Sequence, residues 1–109
     1  MNVNFTQTIE IRCADPSVIV RGLEEWDIEQ ANADVMGYMG TRLLADREDP
    51  ERFVIIAEFG VVDPDISAAD EARRNNERPE TQEWAERLRA IVLGEPVYHD
   101  YDELYRTDW

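Results

Sequence analysis

The sequence of 109 residues has one cysteine, one histidine and few basic residues, and each scarcity argues against a class of protein. Cys13 alone cannot form an internal disulfide, so we interpret it as a small apolar residue at a strand end and expect a reducing cytoplasm. Eleven basic residues against twenty-five acidic ones give a net charge of −14, which repels phosphate backbones and anionic lipids. No apolar run approaches the ~20 residues of a membrane span, and the first residues, Met1-Asn2-Val3-Asn4, predict a strand rather than a signal peptide. We therefore expect neither nucleic acid nor membrane as a partner.

Residue patterns that support the commonest enzyme chemistries are missing too. One histidine, one cysteine and scattered carboxylates give no spacing typical of metal ligands, so no metal site is expected. The segment Gly37-Tyr38-Met39-Gly40 is not a phosphate-binding loop. No serine or cysteine lies in a nucleophile motif. The sequence thus predicts no cofactor.

The most informative segment that is present is the apolar run Phe53-Val54-Ile55-Ile56-Ala57-Glu58-Phe59. All its side chains but Glu58 are apolar, without alternation, which is typical of a strand buried on both faces. We predict a central strand over 52–59, with one layer packed above the sheet and another below.

The flanking segments predict the order strand, helix, strand, strand, helix, strand. The other strands are expected at 5–13, 38–45 and 97 to about 105. The helices are expected from Asp15-Pro16, from Ser67 to about Asn75, and from Pro79. This order is that of an α+β, ferredoxin-like split βαβ fold, as one domain over 1–109, with the helices on one face of a four-stranded antiparallel sheet.

The second face of the predicted sheet has no cover within one chain. Val54 and Ile56, or their neighbours, would form an exposed apolar patch on it. We therefore predict a homodimer that buries sheet against sheet, as in a dimeric α+β barrel. The C-terminal residues from Tyr101 to Trp109 include four large apolar side chains amid charges, and we expect them to pack across the partner.

Several segments together resemble the antibiotic biosynthesis monooxygenase family of the dimeric α+β barrel superfamily. They are the helix with Trp26, the hairpin Leu43-Leu44-Ala45-Asp46-Arg47-Glu48-Asp49-Pro50, the strand end Ala57-Glu58-Phe59, and Glu71-Ala72 followed by Asn75-Asn76 and Pro79. The resemblance covers nearly the whole chain. It implies a pocket between helices and sheet in each subunit, in which some members oxidise polycyclic phenols with molecular oxygen and no cofactor, while others bind and open haem.

The residues of the two best-known family chemistries are replaced in this sequence. Quinone-forming members have an Asn and a Trp four residues apart on the third strand, where this chain has Ile55 and Phe59. Haem-degrading members have a Trp at the strand end, again Phe59 here, and a His that corresponds to Asn75 or Asn76. Neither chemistry carries over directly.

His99 is the only histidine and thus the first candidate for a general base. Facing the pocket, it would accept a phenolic proton and make the ligand electron-rich enough to react with oxygen. The alternative is a hydrogen-bonded strand histidine without a chemical role. Its neighbours Asp100 and Asp102 would face the other way.

Other candidates have equally plain structural explanations. Asn75 and Asn76 could donate to a ligand carbonyl or an oxyanion, or could simply cap and break a helix. Arg42 could balance an anionic substrate or pair with a carboxylate. Trp26 and Trp84 are core residues or pocket walls. The complete set of predicted site residues is His99, Asn75, Asn76 and Arg42 as catalytic groups, with Trp26, Tyr38, Ile55, Phe59, Trp84 and Tyr101 as substrate contacts.

The leading hypothesis is a cofactor-independent monooxygenase for an aromatic or polyketide-like molecule. The alternative is a ligand-binding or accessory protein of the same fold without catalysis, and a haem-binding protein is the least favoured. An open pocket near the ~300 Å³ lower bound for ligand sites would favour ligand chemistry. A space filled by Trp26, Phe59 and Trp84 would favour the accessory role.

Overall fold

The computed structural model describes residues 3–32 and 37–107, with the backbone alone for 30–32. Two predictions concern residues outside these ranges: that Met1-Asn2 begins the segment leading into the first strand, and that Trp109 packs across a partner chain. No helix in the described ranges is long and apolar enough to cross a membrane.

The described strands form one antiparallel sheet in the order β2-β3-β1-β4. They are β1 (Phe5–Arg12), β2 (Tyr38–Ala45), β3 (Arg52–Phe59) and β4 (Val97–Asp102). β3 pairs with both β1 and β2, as the prediction of a central strand requires. β4 is shorter than predicted because regular pairing with β1 ends where Phe5 meets Asp102.

Three helices complete the ferredoxin-like α+β fold, namely α1 (Pro16–Asn32), α2 (Ala68–Asn76) and α3 (Pro79–Ile91). The side chain of Asp15 accepts from the Ser17 backbone N–H at 3.0 Å, which satisfies a free donor at the start of α1. Ser67 caps α2 in the same way through the Asp70 N–H. Pro79 occupies the first turn of α3, where its missing N–H costs no hydrogen bond.

One face of the sheet, which we call the covered face, packs against the helices. Alternate residues of β3 supply it and are all buried: Phe53, Ile55, Ala57 and Phe59. Phe53 and Ile55 join Ile9 and Ile11 of β1 and a layer of buried helix side chains, Ile19, Trp26, Trp84 and Leu88. Cys13 is buried in the same core, as predicted. Ala57 and Phe59 pack in a second cluster with Phe5 and two alanines of α2, Ala68 and Ala72.

The opposite face, which we call the open face, carries the intervening residues. The register aligns Arg42 with Ile56, Ile56 with Thr8, and Thr8 with His99, so these side chains share that face. Val54 and Ile56 are only half-buried there. Ion pairs surround the apolar residues; Arg42 contacts Glu58 at 2.9 Å, and Arg106 contacts Glu58 at 3.2 Å.

Candidate functional site

A cavity of about 280 Å³ lies between the covered face and the helices. This volume is close to the ~300 Å³ at which ligand sites begin, so Trp26, Phe59 and Trp84 form walls without filling the space. The apolar lining residues are Ile9, Leu23, Trp26, Ile55, Ala57, Phe59, Trp84 and Ala85. The polar lining residues are Gln7, Thr41, Asn75, Asn76, Thr81, Gln82, Arg89 and Tyr98.

The aromatic wall is held in place by packing between rings. Tyr38 contacts Trp26 edge to face, with ring centroids 5.6 Å apart, and lies at the same distance from Phe59. Its hydroxyl hydrogen-bonds with Thr41 and donates to Asp27. Burial, with a smaller contribution from Asp27, raises the pKa of Tyr38 to about 12. Tyr38 therefore supports the wall and is not itself among the lining residues.

The polar end of the cavity lies where α2 gives way to α3. Asn75 is 3% exposed, and its Oδ1 accepts hydrogen bonds from Arg78 at 3.1 Å and from the Thr81 hydroxyl at 3.5 Å. These contacts fix the amide so that Nδ2 is its free side, and Nδ2 has no hydrogen-bond partner within residues 3–32 and 37–107. A buried donor in the wall is thus available to a ligand.

The opposite end of the cavity has a tyrosine and an arginine. Tyr98 pairs with Ile9 on the covered face, and its pKa is raised, chiefly by burial, although the charge of Arg89 lowers it. Arg89 lies in the last turn of α3, and its Nε is 3.9 Å from Glu95. Gln82, on the side of Asn75, and Arg89, on the side of Tyr98, are both exposed lining residues, so the cavity is open to solvent along this side of α3.

The predicted site residues divide between the two faces. Six of the predicted residues line the cavity together: Asn75, Asn76, Trp26, Ile55, Phe59 and Trp84. The expectation that His99 faces this cavity is wrong, because its register position opposite Thr8 places it on the open face. Tyr101 lies on that face for the same reason, in ring contact with His99. Arg42 is also there and pairs with Glu58, the alternative that the carboxylate-rich composition offered.

Sequence reasoning missed six of the polar lining residues. Gln7 could have been found, because it is the one polar residue between Phe5 and Ile9 on an otherwise apolar strand face. For Tyr98 the alternation with His99 meant that only one of the two could face the helices. To predict Thr81, Gln82 and Arg89 one would need the rotation of α3 about its axis. To predict Thr41 one would need the register of β2, which a bulge between Tyr38 and Gly40 shifts.

A second, more open depression of about 320 Å³ lies at another end of the sheet beside Arg12 and Arg52. Its arginines are already paired: Arg12 with Asp49 at 2.7 Å, and Arg52 with Glu10 at 2.8 Å and Asp46 at 3.0 Å. The first cavity is therefore the better candidate site. Within the described residues no three His, Cys, Asp or Glu side chains are grouped to hold a metal ion.

Comparison with known proteins supports the fold. No protein family model matches the sequence, and no curated protein is significantly similar to it. Among solved structures, a protein from Nitrosomonas europaea, provisionally named an antibiotic biosynthesis monooxygenase, superposes with a TM-score of 0.70 at 16% identity, covering 99% of this chain and 97% of that one. SnoaB, a cofactor-independent oxygenase from Streptomyces nogalater, superposes with a TM-score of 0.64 at 20% identity, covering 95% and 96%.

These similarities extend over whole chains, and they define the class of fold. The chain has the ferredoxin-like α+β fold of the antibiotic biosynthesis monooxygenases, as its segments predicted. At 16% and 20% identity the similarity extends to the fold and does not define the chemistry of the cavity.

Proposed function

We propose that the protein is a cofactor-independent monooxygenase that acts on an aromatic or polyketide-like molecule in the cavity. The observation that carries the proposal is the buried Nδ2 of Asn75, which lacks a partner in the described parts of the chain. A buried donor without an acceptor costs about 1–3 kcal/mol, and a ligand oxygen would recover that cost. Aromatic walls around the donor suit a polycyclic ligand.

The reaction is balanced without an external reductant for a ligand of the anthrone type. A ring methylene becomes a carbonyl; one atom of O₂ forms that carbonyl and the other leaves as water with the two methylene hydrogens. The substrate supplies all four electrons. The protein's part is to exclude water from the reacting ring and to stabilise the negative charge that develops on the ligand oxygen.

In this mechanism the Asn75 donor stabilises the ionised ligand, and solvent water rather than a side chain accepts the phenolic proton. Within residues 3–32 and 37–107 the cavity wall includes no histidine, aspartate or glutamate that could accept a phenolic proton. A hydrogen bond from Nδ2 to the ligand oxygen would favour its ionised form, and the proton would leave through the opening beside Gln82. Asn76 and Thr81, close to Asn75 in the wall, would further orient the ligand.

The substitution Asn75→Asp tests the role of this donor. A carboxylate keeps an acceptor for Arg78 and Thr81 but replaces the N–H by an oxygen that repels an anionic ligand. We would follow oxygen consumption with an anthrone in air, without added flavin or metal. Loss of one such donor typically costs ~10²- to 10³-fold in rate, and we expect a loss in this range.

His99→Gln is the matched control for that experiment. Its side chain is on the open face, so the rate should change by less than about twofold. A wild-type rate no greater than that in buffer would refute the enzyme proposal. An active wild type with an equally active Asn75→Asp variant would remove Asn75 from the mechanism.

Binding without catalysis is the second candidate function, and one observation favours it. A wall without a histidine, aspartate or glutamate in the described residues can hold a neutral aromatic molecule as readily as transform it. A haem-binding role remains the least favoured, because His99 faces away from the cavity and cannot ligate an iron within it.

We also propose that the protein is a homodimer formed through the open face. The support is the half-buried apolar pair Val54 and Ile56 at the centre of a sheet face that the helices leave uncovered. Val97 and Leu44, each about half exposed, extend this patch to both edge strands. Burial of such a patch against its copy would remove apolar surface from water.

A further inference from the structure

The charge inside the cavity is opposite to the charge of the whole molecule. The chain has a net charge of −14, with twenty-five acidic residues. In the described residues none of these carboxylates lines the cavity, whereas Arg89 does. A chain with an acidic surface thus has an arginine and no carboxylate among the described residues that line this cavity.

Arg89 is only weakly engaged by the protein itself. Its nearest carboxylate, Glu95, is 3.9 Å away, and both side chains are more than half exposed. Pairs of this kind contribute little, because water competes for both charges. By contrast, Arg12, Arg42 and Arg87 contact their carboxylates at 2.7 to 2.9 Å. The guanidinium of Arg89 retains donors for a ligand.

The position of Arg89 also sets a distance along the cavity. Gln82 and Arg89 both line it from α3, seven residues apart, which corresponds to about 10 Å along a helix axis. Asn75 lies at the Gln82 end, and Tyr98 at the Arg89 end. The two polar ends are therefore separated by an apolar stretch of roughly the length of a fused-ring system.

From this arrangement we propose that the ligand of the cavity carries an acidic group, and that Arg89 is the residue that selects for it. The acid would pair with the Arg89 guanidinium, and the Tyr98 hydroxyl would donate a hydrogen bond to it. The rings would lie against Trp26 and Trp84, with a carbonyl or phenol oxygen at Asn75. The inference rests on the cavity being the binding site of the proposed function, but it requires no turnover.

The test compares two probes that differ only in charge, anthracene-2-carboxylate and anthracene-2-carboxamide. Binding is measured under nitrogen by the fluorescence anisotropy of the probe, so absence of oxygenase activity would not affect the result. The wild type should bind the carboxylate at least about tenfold more tightly than the carboxamide, as expected for a charge-assisted pair. Arg89→Gln should reduce this preference to less than about threefold.

Arg87→Gln is the control, because it removes the same charge from the same helix. Arg87 pairs with Glu25 and contacts a separate depression between α1 and α3. This variant should keep the full preference for the carboxylate. Equal binding of the two probes by the wild type, no binding of either, or an equal loss of preference in both variants would each overturn the proposal.

Discussion

Gly22 offers a sharp test of how the cavity wall is positioned. It lies inside α1, where Gly→Ala normally stabilises a helix by about 0.5–1 kcal/mol. Here a Cβ would be 2.5 Å from Cζ3 and 2.9 Å from Cη2 of Trp84, closer than side chains pack. Because Trp84 is buried between α1, α3 and the sheet, the ring cannot move without disturbing the wall.

The magnitude follows from two opposing terms. Overpacking a well-packed core costs about 1–3 kcal/mol, which exceeds the gain in helix propensity. We expect Gly22→Ala to lower the free energy of unfolding by about 1–2 kcal/mol. For a domain of this size that is a fall in melting temperature of roughly 4 °C per kcal/mol. Because Trp84 lines the cavity, a displaced ring should also weaken binding of an anthracene probe.

A double-mutant cycle isolates the cause. In a Trp84→Phe background the smaller ring leaves room for the new methyl group, so Gly22→Ala should become neutral or stabilising there. Urea denaturation gives the four free energies, and probe anisotropy reports the cavity. If Gly22→Ala stabilises the wild-type chain by 0.5–1 kcal/mol, as at an ordinary helix position, the contact with Trp84 does not constrain the wall and the reasoning is refuted.

Three further predictions concern assembly and titration. Sedimentation at micromolar concentration should give twice the chain mass, and a monomeric wild type would contradict the dimer. Ile56→Glu on the open face should give a monomer, whereas the control Val20→Glu, on the exposed side of α1, should remain a dimer. Removal of residues 105–109 should weaken dimerisation, since Tyr105 is 82% exposed in the single chain; unchanged mass and melting temperature would argue against a role for the tail. The raised pKa of Tyr38 means that the folded state holds this proton more tightly than the unfolded state does, so its contribution to stability is complete below about pH 10 and is lost as the pH rises towards about 12. Tyr38→Phe should flatten that part of the stability profile, measured by urea denaturation; an unchanged profile would show that Tyr38 is not responsible.

The fold could be predicted because its signals are local or repeat at a fixed period. The unbroken apolar run of β3, the Asp15 cap and Pro79 each define an element within a few residues. The confirmed bounds of β2 and β3 follow from such signals. The end of β4 does not, because a strand ends where its partner ends, and that depends on the pairing of Phe5 with Asp102 across the chain.

The cavity residues were harder to predict from the sequence, because a residue lines the cavity only if its side chain points towards it, whatever its type. Aromatic residues on core stripes, such as Trp26 and Trp84, were found because core and wall coincide in this fold. His99 was selected for its chemistry alone. Which face of the sheet it occupies depends on the register of β4 with β1, and the sequence does not give that register. Arg89 was missed because a charged residue in a helix's last turn is usually solvated.

The strict alternation along β3 has a consequence for how such a protein can diverge. Residues 53, 55, 57 and 59 face the helices, whereas 54, 56 and 58 face the other way. Given the proposed ligand site and the proposed dimer, substitutions at odd positions would change ligand preference, and those at even positions would change self-association, with the thickness of the sheet between them. On the same two proposals, a duplicated copy would acquire a new ligand without losing the proposed dimer. A single-residue insertion within this strand would exchange the two sets at once, so we expect related chains to vary here by substitution rather than by length.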